Sequence, residues 1–203
     1  MAAKKAGYIL KNKTIIIQRD LTALDLFVKK FIGILKRYSD YLIVSGFVSI
    51  ATGRTRGTED VDIIIPIPDR VTFKNFFKDL EKHAFWCYQG DTSNTVYPYL
   101  QSFHSIRFAL QNELFPNIEL IPFDKSKKVK KAKLFEFEHP QKIRIQDFEF
   151  KVPPIEFEIL YKELILKSKK DIEDAKHLRT FFLELIKPEN FKRYKPIIMS
   201  ELR

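Results

Sequence analysis

Apolar and polar positions alternate along this chain in short blocks whose period changes from two to nearly four and back. The stretch "YILKNKTIIIQ" predicts one or two short strands near the start. Leu24, Phe27, Val28, Phe31, Ile32 and Leu35 then recur at helical spacing, which predicts a helix over about 21–39 with Asp20 or Thr22 as its cap. "YLIVS" (41–45) reads as a strand, Gly46 opens a small helix ending near Gly53, and "DVDIII" (60–65) reads as a strand stopped by Pro66 and Pro68. Asp69 is placed to cap a helix over roughly 71–83, and 89–102 reads as a loop or short helix. "HSIRFAL" (104–110) and "NIELIPF" (117–123) read as strands, and "KIRI" with "FEFKV" as a hairpin. From Pro154, well suited to a first helical turn, the pattern stays helical to the end, with breaks near Lys167–Lys170 and at Pro188. The expectation is an α+β fold: a mixed β-sheet core flanked by helices over 1–152, followed by a C-terminal helical region over 153–203.

Composition narrows the class. The 203 residues are 45% hydrophobic with 19 Phe, enough for a packed core. No apolar run reaches membrane-spanning length, and "MAAKKAGYILKNK" lacks the apolar centre of a secretory signal, so a soluble cytoplasmic protein with no membrane partner is expected. Cys87 is the only cysteine and, beside Trp86, reads as core packing. The net charge of +10 favours an anionic partner. Its densest part is Lys125, Lys127, Lys128, Lys130, Lys131 and Lys133. That run reads either as a solvated loop or as an RNA-contacting patch, with Lys127, Lys128, Lys130 and Lys131 as the contacts.

The chemistry lies where acids interrupt apolar strands. Side chains alternate along a strand, so Asp60 and Asp62 share a face, and two adjacent carboxylates repel. A divalent cation removes the conflict. Mg²⁺ takes hard oxygen ligands and commonly binds one or two carboxylates together with substrate phosphates. Glu119, between Ile118 and Leu120, is a third acid in an apolar run, with Asp124 as the fallback. If the two strands are neighbours, Glu119 completes a cluster able to activate an attacking hydroxyl. The ordinary alternative puts Asp60 and Asp62 at a sheet end, meeting water or Arg54 and Arg56. Upstream, Ser45-Gly46 at a strand-to-helix junction offers backbone N–H groups to phosphate, and the Ser45 side chain is suited to cap that helix or to bond a phosphate oxygen. "GRTRGT" lacks the Gly-Lys-Ser/Thr ending of a P-loop. Lys162 is suited to bind a triphosphate or to pair with Glu158 four residues before it. Asp171 is placed to start a helix, Asp174 to pair with Lys170, and His177 to pair with Asp174 at the surface.

"YLIVSGFVSIATGRTRGTEDVDIII" resembles the signature of the nucleotidyltransferase superfamily with the polymerase-β-like fold. That signature is a Gly-Gly or Gly-Ser pair after a strand, then an Asp-x-Asp strand often preceded by Arg-x-Thr. Here the matching residues are Ser45 and Gly46, then Arg56, Thr58, Asp60 and Asp62, with Glu119 at the place of the usual third Asp. Ser45 departs from the first glycine. The tail "PPIEFEILYKELILKSKKDIEDAKHL" is similar to that of AbiEii-like and related minimal nucleotidyltransferases, matching at Lys162, Lys170, Asp171 and Asp174. The resemblance implies Mg²⁺ at Asp60, Asp62 and Glu119, with an NTP held by Ser45, Gly46, Arg56, Thr58, Lys162, Lys170 and Asp171. It implies transfer of a nucleoside monophosphate to a hydroxyl of an RNA or tRNA end, a protein or a small molecule, with a toxin–antitoxin setting. The alternative is an inactive module of the same fold that binds RNA or a toxin–antitoxin partner.

Overall fold

The computed structural model describes residues 7–124 and 131–202. In chain order the elements are β1 (Tyr8–Lys11), β2 (Thr14–Ile17), α1 (Ala23–Leu35), β3 (Leu42–Ile43), α2 (Gly46–Ala51), β4 (Asp60–Pro66), α3 (Arg70–Lys82), β5 (Phe85–Cys87) and α4 (Ser93–Gln101). There follow β6 (Ile106–Leu110), β7 (Asn117–Phe123), α5 (Lys131–Glu138), β8 (Gln141–Ile145), β9 (Phe148–Val152), α6 (Ile155–Tyr161), α7 (Lys169–Phe181) and α8 (Pro188–Met199). A π-helical turn, Lys162–Leu166, continues α6. The helix starts follow local chemistry. Thr22 and Asp25 form a reciprocal capping box on α1, Asp69 accepts from the N–H groups of Val71 and Thr72 on α3, and Ser168 with Asp171 repeats the box on α7. Pro188 takes the first position of α8, where its missing N–H costs nothing.

These elements make two compact units. The first, from residues 7–21, 45–56 and 131–202, holds a four-stranded sheet in the order β1-β2-β8-β9. Its β2–β8 pair is parallel and the others antiparallel. Ile15, Ile17, Ile143, Ile145, Phe148 and Phe150 are buried, and Phe47 of α2 packs edge-on against Phe150. Ala132, Phe157, Leu160, Tyr194 and Ile198 form a further apolar cluster within this unit, drawn from α5, α6 and α8.

The second unit, from residues 22–44 and 57–124, holds a five-stranded sheet in the order β3-β4-β7-β6-β5. Only β4–β7 is parallel. Phe31 of α1 meets Phe76, Phe85 and Phe108 at ring-centroid distances of 5.3–6.0 Å. Each such buried side chain contributes about 1.5–3 kcal/mol.

Two elements depart from the sequence reading. β5 is a three-residue edge strand, too short for its alternation to register. Lys131 and Lys133 belong to α5, Lys131 exposed in its first turn, rather than to a loop. Lys127, Lys128 and Lys130 lie outside the described residues. Cys87 is buried as expected, and burial pushes its thiol up to about 11, which makes it a poor nucleophile. Among the described residues no helix is long and apolar enough to cross a membrane.

Candidate active site

In the second unit the parallel pairing of β4 and β7 sets Asp62 directly across from Glu119. Period-two alternation puts Asp60 on the same face. The result is three half-buried carboxylates, Asp60, Asp62 and Glu119, each offering an oxygen within 4.8 Å of the others. Their backbones are well held. The Val44 N–H donates to the Asp62 carbonyl at 3.0 Å, and the Thr58 hydroxyl donates to the Asp60 carbonyl at 2.8 Å. Ile63, Ile65, Ile118 and Leu120, pointing the other way, are buried and anchor both strands. Such a set of clustered hard oxygens fits a divalent cation of the Mg²⁺ type. Asp124, the fallback acid, is not in the cluster.

Two neighbours of Glu119 went unassigned in the sequence reading. Antiparallel pairing sets Arg107 of β6 opposite Glu119. Its Nε donates to Glu119 Oε2 at 3.0 Å, and Ser105 Oγ donates to Oε1 at 2.6 Å. The hydrogen bond to Glu119, and then the nearby Asp60 and Asp62 charges, raise the Arg107 pKa further. The signal was present: Arg107 is a charge inside the apolar run "SIRFAL", as Glu119 is inside "NIELI".

The first unit gathers most of the other predicted residues into a buried charge network. Lys162 is fully buried, with Nζ 3.2 Å from Asp174 Oδ2, 3.3 Å from Glu158 Oε1 and 3.8 Å from Asp171 Oδ1. Asp174, also fully buried, accepts from Arg56 Nη1 at 2.6 Å and from Arg54 Nη1, while Arg54 Nη2 reaches Glu173 at 2.7 Å. The Ser45 backbone is close enough to Glu158 to favour its charged form. Burial raises the Glu158 pKa, against the lowering pull of Lys162.

Three expectations are corrected here. The Ser45 side chain makes no cap hydrogen bond on α2; instead Ser45 holds φ 64° and ψ −131°, a region suited to glycine. Asp174 pairs with Arg54, Arg56 and Lys162, while the Lys170 side chain is exposed. His177 is half-buried with Nε2 2.9 Å from Thr52 Oγ1, and burial lowers its pKa. Gly46 has a reason of its own. A Cβ there would lie 2.7 Å from Arg56 Nη2, so glycine lets the guanidinium rest on the turn.

With this geometry in hand, the architecture can be set beside solved structures. The chain has the α+β nucleotidyltransferase fold. It is similar to the lincosamide antibiotic adenylyltransferase LnuA in its lincomycin-bound form, at 16% identity and TM-score 0.52 over 80% of this chain and 99% of that one. It is similar to ANT(2")-Ia in complex with adenylyl-2"-tobramycin, at 15% identity and TM-score 0.53 over 90% and 100% of the two chains. An antigenic nucleotidyltransferase-like protein from Paracoccidioides brasiliensis matches at 18% identity and TM-score 0.51 over 90% and 88%. No family model and no curated protein matches the chain.

Proposed function

We propose that this chain is a divalent-metal-dependent nucleotidyltransferase, which moves a nucleoside monophosphate from an NTP to a hydroxyl acceptor with release of pyrophosphate. One observation carries the reading: three carboxylates from two parallel strands converge within 4.8 Å on one face of the five-stranded sheet. Asp60 and Asp62 would hold Mg²⁺ together with the triphosphate. Glu119 would serve the metal and take the proton of the acceptor hydroxyl. A bound divalent ion supplies charge neutralisation on the phosphates and lowers the pKa of a coordinated hydroxyl.

The tail residues take a revised part in this reading. The full burial of Lys162 and its three carboxylate partners support a positioning role within the charge network rather than contact with phosphate. Ser45, Gly46, Arg56 and Thr58 remain the proposed phosphate-side residues. Lys170 and Asp171 support the kinship with AbiEii-like minimal enzymes and a toxin–antitoxin setting. For the acceptor, two fold neighbours carry small-molecule substrates in their names, which brings a small-molecule hydroxyl forward. An RNA or tRNA end rests on Lys127, Lys128, Lys130 and Lys131 alone, and a protein hydroxyl on the resemblance alone.

A second reading, an inactive module of the same fold, is favoured by Ser45 in a glycine conformation and by the pairing of Glu119 with Arg107. Incubation with each α-³²P NTP and Mg²⁺, in the presence of total RNA, cell protein or a panel of polyhydroxylated small molecules, decides between them. Label on one acceptor class that disappears in Asp60→Asn and Asp62→Asn supports the enzyme. No label on any class, with NTP binding indifferent to Mg²⁺, supports the module.

A further inference from the structure

The acid cluster carries a cation of its own. Across the sheet of the second unit, Asp62, Glu119 and Arg107 stand in register on adjacent strands. The Arg107 guanidinium contacts Glu119 Oε2 through Nε at 3.0 Å and Nη2 at 2.5 Å, and Nη2 lies 4.0 Å from Asp60 Oδ2. Ser105 holds the other Glu119 oxygen. Both oxygens of the third carboxylate are therefore engaged before any metal arrives. A guanidinium does not deprotonate, so this positive charge is permanent, and it directs two donors at one carboxylate. The Arg107 side chain is 42% exposed, so its head group has solvent to move into.

We propose that Arg107 is an internal competitor of the divalent ion. It neutralises and occupies Glu119 in the free protein, and it must leave Glu119 when a metal arrives with the triphosphate. This rests on the nucleotidyltransferase reading given above. It makes Arg107 a residue that sets metal affinity and couples metal binding to nucleotide binding. Free metal alone meets an already neutralised carboxylate. Metal plus triphosphate displaces the guanidinium, because the polyphosphate brings negative charge for it to meet.

Mn²⁺ titration of the full chain, read by the loss of its free-ion EPR signal, tests this without reference to activity. Without nucleotide, Arg107→Gln should bind Mn²⁺ about tenfold or more tighter than the wild type, the effect of deleting one nearby positive charge at a half-exposed site. Arg107→Lys keeps the charge and loses the two-donor fork, so it should tighten binding by a smaller factor, about threefold. With a non-hydrolysable ATP analogue present, the gap between wild type and Arg107→Gln should shrink. Equal or weaker Mn²⁺ binding by a folded Arg107→Gln overturns the proposal. Should that variant not fold, an Arg107→Lys titration matching the wild type overturns it. Failure of the underlying reading looks different: Mn²⁺ binding would be unaffected by Asp62→Asn in every background.

Discussion

The molecule holds two clusters of charge that differ in how they are balanced. In the first unit, Lys162 and Asp174 are fully out of water, and Arg54, Arg56, Glu158 and Asp171 surround them. In the second unit, Asp60, Asp62 and Glu119 keep access to solvent and share one nearby guanidinium, that of Arg107. The first arrangement is closed. Each buried charge has opposite charges at contact distance, as burial requires. The second is open to solvent, and its three carboxylates offer clustered oxygens that a metal ion can take. Paired burial suits a positioning network, and accessible clustered carboxylates suit the proposed metal site.

This contrast can be broken by removing one acid from each cluster. Asp174→Ala strands Arg54, Arg56 and Lys162 without their shared carboxylate, and unfolding in urea should show a loss of about 3–5 kcal/mol. Asp60→Ala and Asp62→Ala should leave stability unchanged or slightly raised, since each removes repulsion. Their effect should appear instead as a loss of more than about 100-fold in metal-dependent NTP affinity, measured by titration calorimetry. Equal destabilisation by Asp62→Ala and Asp174→Ala would erase the distinction.

Glu136 of α5 sharpens the same point from within the first unit. Burial, and then the nearby Glu158, raise its pKa well above the ordinary value near 4.5. A folded-state pKa above the unfolded one gives stability that is complete below about pH 4.5 and declines as pH rises toward the folded value. Glu136→Gln should therefore stabilise the protein by about 1–3 kcal/mol at pH 8, with the gain vanishing at pH 4. Urea midpoints at the two pH values check the sign. The smallest expected effect is at Ser45, whose positive φ suits glycine. Ser45→Gly should raise stability by about 1 kcal/mol, read as a higher melting temperature.

Much of the open cluster is legible in the chain itself, because strand alternation alone puts Asp60 and Asp62 on one face and an acid in "NIELI" is out of place in a core strand. The α1, α3 and β7 segments are legible for the same reason of strong periodicity. Arg107 is legible only in part: a charge inside the apolar run "SIRFAL" marks it, but its partner Glu119 depends on β6 pairing with β7 in a register that no local pattern encodes. The burial of Lys162 is hidden as well. Its i,i+4 partner Glu158 is visible in the sequence, but Arg54 and Arg56, which share Asp174 with it, lie more than a hundred residues away. Ser45 reads as an ordinary cap by residue type, and only its backbone angles show otherwise.

On the proposed reading, Asp60, Asp62 and Glu119 form a site for a divalent ion and an NTP. Calorimetric titration of a non-hydrolysable NTP into the wild type and into Asp60→Asn/Asp62→Asn, each with Mg²⁺ and again with EDTA, tests it most directly. Binding should occur only in the wild type with Mg²⁺. NTP binding of equal strength in EDTA, or in the double variant with Mg²⁺, would contradict the account.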